Sequence, residues 1–154
     1  MVRKSSKLLK GFMAFQITNE WLLPIPEDFE HQVKKEQVVF WKTGMTVATV
    51  VFSIQENTGK LELLNQIQSK MPDDVIEKLV SPRGEIVGLG YTRIQNYQDE
   101  KDRLSLITFT ASDKSCLQMA FYMDDAKDLE WAKSIWQETV YHPAADQENK
   151  PSSL

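Results

Sequence analysis

Residues 115–141 read SCLQMAFYMDDAKDLEWAKSIWQETVY, and this stretch decides the fold. Leu117, Met119, Phe121 and Met123 alternate with the less apolar Cys116, Gln118, Ala120 and Tyr122. A period of two is that of a half-buried strand, so the first set is expected to face a core. After Asp124 and Asp125 the period changes. Leu129, Ala132, Trp136 and Val140 recur at steps of three or four, with Trp131 and Ile135 widening the stripe, as in an amphipathic helix from Ala126 to Tyr141. The paired aspartates suit the start of that helix, where a carboxylate accepts from free N–H groups and meets the positive end of the dipole.

Working back from this strand–helix unit, Arg103 to Ala111 and Glu85 to Gln95 read as two more strands, which together with the first form a meander. Ser81, Pro82, Arg83 and Gly84 place proline and glycine at the second and fourth positions of a type I turn. Residues 73–83 fit a short helix or a broken strand, and a strand from about Ile76 is preferred. Leu61, Leu64, Ile67 and Met71 follow Asn57, Thr58 and Gly59 at helical spacing until Pro72, which predicts a second helix. His31 to Trp41 and Met45 to Ile54 flank Lys42, Thr43 and Gly44, the signature of a hairpin. Asn19 to Phe29 carries Pro24 and Pro26 and is expected as an irregular or edge strand.

The expected class is therefore α+β: an antiparallel sheet of about six strands, one amphipathic helix after the first hairpin, and a C-terminal helix packed on the sheet. Residues 1–12 are expected to be a disordered basic leader, 13–143 a single domain and 144–154 a disordered tail. The leader carries Arg3, Lys4, Lys7 and Lys10 without an acid. Lys10 interrupts the apolar stretch that a signal peptide would need, and Met13 offers a second start.

The whole chain has 18 Lys and Arg against 22 Asp and Glu, for a net charge of −4. Without the four leader cations the remainder is more acidic still, which disfavours nucleic acid and anionic lipid and favours a basic protein partner. No apolar run reaches the ~20 residues of a membrane span. Cys116 is the lone cysteine, and its place in a strand predicts a reduced, half-buried thiol in a cytoplasmic protein.

Signatures of chemistry are few. Gly88, Leu89 and Gly90 would put the third glycine of a dinucleotide loop at Arg93. A strand on whose bare backbone a neighbour packs is the better reading. His31 and His142 are too few for common zinc sites, and neighbours on a strand point apart, so His31 does not pair with Glu30 beside it. No catalytic residue, cofactor or metal is assigned. Among Trp21, Trp41, Trp131 and Trp136, helical spacing makes Trp136 a core residue, whereas Trp131 lies to one side of the stripe's centre and is a candidate interface anchor.

The run Trp21-x-Leu23-Pro24-x-Pro26-x-x-Phe29-Glu30, with Val39-Phe40-Trp41 and the segment from Asp124-Asp125 to Trp136, resembles small bacterial proteins. The order of elements over residues 19–141 resembles the PsbP-like α/β/α sandwich, which implies an antiparallel sheet with helices on its faces and no particular activity. The expected function is that of a non-catalytic, acidic protein-binding module, of which an immunity or inhibitor protein is one version. Asp99, Glu100 and Asp102, on the turn before the Arg103 strand, join Trp131 as candidate partner-binding residues. The alternative is a small-molecule binder or enzyme with a pocket between sheet and helix.

Overall fold

The computed structural model describes residues 3–9, 12–35, 37–95 and 101–143. Strands β1 (Arg3–Leu9), β2 (Phe12–Gln16) and β3 (Trp21–Pro26) open the chain, followed by β4 (Glu30–Lys34), β5 (Gln37–Lys42) and β6 (Met45–Ser53). Helix α1 (Lys60–Ser69) leads to β7 (Glu77–Arg83), β8 (Ile86–Gln95), β9 (Arg103–Ala111) and β10 (Ser115–Met123). A 3-10 turn (Ala126–Asp128), helix α2 (Leu129–Gln137) and the short β11 (Val140–Tyr141) complete it.

The class is α+β and all strand pairs are antiparallel. The expected single sheet of about six strands is instead two sheets. Among the described residues seven strands run in the order β4-β5-β6-β10-β9-β8-β7, and four in the order β1-β2-β3-β11. Two features hid the larger count. The expected strand His31 to Trp41 is folded back on itself, with Lys35 in the left-handed region at φ 49°, a turn made without glycine or asparagine. The expected leader is also a strand here: β1 pairs with β2, and an edge strand is specified by main-chain bonding that leaves little periodicity in the sequence.

One face of the large sheet, the inner face, meets the small sheet and α2. Leu117, Met119, Phe121 and Met123 are all fully buried, packed with Trp21, Leu23 and Ile25 of β3 and with Ala132, Ile135 and Trp136 of α2. Trp136 lies flat against β8. A Cβ on Gly88 would come within 2.9 Å of its Cζ2, and one on Gly90 within 3.1 Å of its Cη2, so both glycines are present because an indole occupies their side-chain space. Its Nε1 donates to Thr110 Oγ1 at 2.9 Å, which satisfies the one polar atom the ring buries. A second buried tie joins the sheets: Trp21 Nε1 donates to Ser115 Oγ at 2.8 Å, and that hydroxyl donates to Glu20 Oε1 at 2.6 Å.

Several expectations change here. β10 is buried on both faces, because Cys116, Ala120 and Tyr122 are covered as well, so central position overrides its half-polar alternation. The C-terminal helix stops at Gln137, and Val140 and Tyr141 leave the helical stripe to pair with Leu22 and Trp21. Asp125 caps the 3-10 turn, accepting from Lys127 N at 3.0 Å. On α1, Leu64 is the buried residue while Leu61 is 65% exposed, so the packed stripe is centred one turn later than its first leucine. Pro82 sits within β7 instead of in a turn. β7 is an edge strand, where a missing N–H is tolerated, and the chain turns at Gly84 with φ 65°. Residues 144–154 lie outside the described segment.

Candidate functional site

Strand register determines what meets on the outer face of the large sheet. Directly opposed residues share a face, so Trp41, Thr46, Tyr122, Ser105 and Arg93 form one row across β5, β6, β10, β9 and β8. The next row is Val39, Ala48, Ala120, Ile107 and Tyr91. Helix α1 packs on β8 and β9 toward one end of this face, where Leu64 meets Leu89, Ala111 and Cys116. The other end carries a cluster composed of sheet residues alone: Val39, Ala48, Ile107, Ala120 and Tyr122, with Trp41, Tyr91 and Phe109 packed against them. The two alanines leave room for the rings to lean over the sheet, which buries its centre without a helix.

At this end the sheet, the β5–β6 turn and the approach to β9 enclose a groove of about 470 Å³. Gln32 and Lys34 of β4, Val39 and Trp41 of β5, and Met45 and Thr46 of β6 line it. Lys42, Lys101, Arg103 and Asp124 complete its polar rim. The turn is locked to the far wall, since Asp124 N donates to Gly44 O at 3.0 Å, and Gly44 takes φ 85° to make that bend.

Among the described residues, Lys34, Lys101 and Arg103 face one carboxylate, Asp124, opposite in sign to the chain as a whole, while Lys42 also lines the groove but turns its ammonium to Asp28 and Phe29. Arg103 is the anchored one: 7% exposed, with its guanidinium 5.8 Å from the Tyr122 ring centre, Nη2 3.4 Å from Thr46 Oγ1 and Nη1 3.6 Å from Asp124 Oδ1. Lys101 Nζ lies 3.3 Å from the other oxygen of Asp124. Lys42 reaches Asp28 at 3.0 Å and stands over the Phe29 ring at 5.0 Å. Farther along the row Arg93 grips Asp74, with Nη2–Oδ2 a hydrogen bond at 3.0 Å and Nε–Oδ1 an ion pair at 3.0 Å that is not aligned as one. That hydrogen bond holds the Asp74 carboxyl below its ordinary range, and burial pushes the neighbouring Tyr91 phenol up.

The residues singled out in sequence fall in different places. Asp99 and Glu100 lie outside the described residues. Asp102 is exposed and stands between the two groove residues Lys101 and Arg103. Trp131 is half-buried on the inner side of the sheet, its ring stacked on Phe29 at 5.6 Å and edge-on to Phe121 at 6.2 Å, so its contacts are with the core and not with the groove. The groove residues were missed because a face is defined only once β4, β5 and β9 are in register. The available signal was Arg103 and Ser105 alternating into Ile107 and Phe109, a cation placed on the apolar face of a strand.

For chemistry of other kinds there is little material. His31 stacks edge-on to Phe15 at 4.9 Å, and its register partner is Phe40, whereas Glu30 opposes Trp41 on the other face. Cys116 is fully buried, and burial raises its thiol from 9.0 to about 12, far from a nucleophile at neutral pH. Among the described residues no group of three or more His, Cys, Asp and Glu side chains could hold a metal ion, and no helix is long and apolar enough to cross a membrane.

No protein-family model matches the chain, and no curated protein does. Among solved structures the fold is similar to the solution structure of cyanobacterial PsbP (CyanoP) from Synechocystis sp. PCC 6803, with a TM-score of 0.57 over 92% of both chains. The fold is PsbP-like. At 11% identity the similarity is one of backbone, and the groove residues draw no role from it.

Proposed function

We propose that the protein is a non-catalytic binding module that docks a partner protein on the uncovered end of the outer sheet face. The observation that carries this reading is the groove: an aromatic wall at Trp41, a floor with Val39 and Thr46, and, among the described residues, Lys34, Lys101 and Arg103 against one carboxylate, Asp124. Local charge of that sign on a chain of −4 marks one face as different from the rest. Tryptophan and arginine are the residue types most enriched at binding hot spots, and here Trp41 and Arg103 line one concavity. The proposal reverses the sign of partner expected from overall composition, since the groove suits an acidic surface. An immunity or inhibitor protein, covering an enzyme's site, is one version of it. A small-molecule binder is the second reading, favoured by the groove volume of about 470 Å³, which falls in the range of ligand sites.

The test is affinity capture from the source cell with wild type and with the charge-reversed pair Lys34→Glu and Lys101→Glu, both side chains being exposed and outside the core. A protein held by wild type and released by the reversed pair, with unchanged circular dichroism, supports docking through the groove. Retention of the same protein by both removes the groove from the interface.

A further inference from the structure

The groove is long in one direction. Its lining runs from Lys34 on the edge strand β4 to Lys101 and Arg103 at the start of β9, and the strand order between them is β4-β5-β6-β10-β9. Four inter-strand steps of about 4.8 Å make roughly 19 Å across the strands, a lower bound on the span because Lys34 is level with Gln37 and Arg103 lies two residues beyond the Ser105–Trp41 row. A small carboxylate reaches one end of such a site and not both. An extended peptide, rising about 3.3 Å per residue, crosses it with about six residues or more.

The charges are distributed to match. At the β9 end, Asp124 occupies the position of a carboxylate between Lys101 Nζ at 3.3 Å and Arg103 Nη1 at 3.6 Å. Asp124 is shared by both cations, and Lys101, whose side chain is 70% exposed, is the one open to a second carboxylate. At the β4 end Lys34 is exposed, and among the described residues it has no carboxylate within ion-pair distance. Between the two ends stands Trp41, half-buried, whose ring offers apolar area to a side chain passing over it.

We propose that the groove receives an extended acidic segment of a partner protein, at least about six residues long, with a carboxylate at each end and an apolar side chain over Trp41. This rests on the docking function proposed above and narrows it to a ligand class. Charge complementarity selects an acidic segment, and the span of the groove selects a peptide over a free acid.

The experiment is a titration of the full 154-residue chain, labelled with ¹⁵N, by the peptide acetyl-Glu-Glu-Leu-Phe-Glu-Glu-amide. The same peptide with every Glu replaced by Gln, its Lys counterpart, and free glutamate are the other arms. Expected are shifts at the Trp41 indole N–H and at amides of β4 and β6, three- to tenfold weaker binding in Lys34→Gln and in Lys101→Gln separately, and weakening with added salt. The Gln peptide and free glutamate should bind at least tenfold more weakly than the acidic peptide. Equal affinity for free glutamate, loss at Lys101→Gln with none at Lys34→Gln, tighter binding of the Lys peptide, or shifts confined to other faces would each overturn the segment proposal. Those outcomes leave the docking function to be judged by the capture experiment. Capture that ignores the charge reversal, beside a titration that succeeds, would sink docking and keep the peptide specificity.

Discussion

The two faces of the seven-stranded sheet each carry a tryptophan, and the two are treated in opposite ways. On the inner face Trp136 is 3% exposed, seated on Gly88 and Gly90 with its N–H bonded to Thr110. On the outer face Trp41 stays half-buried at the wall of a groove ringed by cations. The inner face is closed by shape, since glycines remove side chains where the ring must lie. The outer face is held open at this end by charge, since the exposed Lys34 and Lys101 lose too much hydration to be packed under another layer, whereas Arg103 is buried against Tyr122 and Asp124. A sheet finished in this way has one side devoted to stability and one end of the other available for contact.

The largest break in that contrast comes from Trp136→Ala. Losing a buried tryptophan should cost roughly 3–5 kcal/mol, whereas Trp41→Ala, at a half-exposed site, should cost less than half as much. Urea unfolding of both variants measures the difference, and equal midpoint shifts would show that the two faces are equally closed. Gly88→Ala is next. The added methyl would stand 2.9 Å from Trp136 Cζ2, too close for two carbons, so a destabilisation of about 1–3 kcal/mol is expected. Alanine at Gly88 without a shift in midpoint would mean that α2 is free to move off the sheet.

Cys116 sharpens the comparison from the covered end of the outer face. Its thiol is held protonated in the fold up to about 12 against an ordinary 9.0, so the native state keeps its proton longer than the unfolded chain does. The associated stability is fully present below pH 9 and is lost as pH rises toward 12. At pH 10 wild type should have lost about 1.4 kcal/mol more, relative to neutral pH, than Cys116→Ala. Parallel pH profiles for the two proteins would show that water reaches the thiol beneath α1. The smallest effect is expected at the rim, where the Lys42–Asp28 pair is partly exposed on both sides. Asp28→Asn should change stability by about 0–1 kcal/mol, and by less in high salt, as checked by the same unfolding measurement.

The inward set of β10 was readable because alternation is a local property, and Leu117, Met119, Phe121 and Met123 do lie in the core. The same logic made Gly88 and Gly90 a place where a neighbour packs, and that neighbour is Trp136. Periodicity failed where pairing outweighed it. Val140 fits the helical stripe but bonds opposite Leu22, and the turn at Lys35 uses a residue with no turn preference of its own. The candidate site was less legible than the fold. Arg103 and Trp41 are 62 positions apart in the chain, and nothing local connects them until β6 and β10 lie between their strands.

From the sequence alone came the class, the main strands and the core face of β10, because each depends on spacing or residue type within a few positions. Tertiary structure alone decided the division into two sheets, the burial of β10 on both sides and the gathering of Lys34, Trp41, Lys101 and Arg103 into one groove. The physical reason is that strand order and register are set by pairing between distant segments, and a surface shared by four strands comes into being only when those pairings are made.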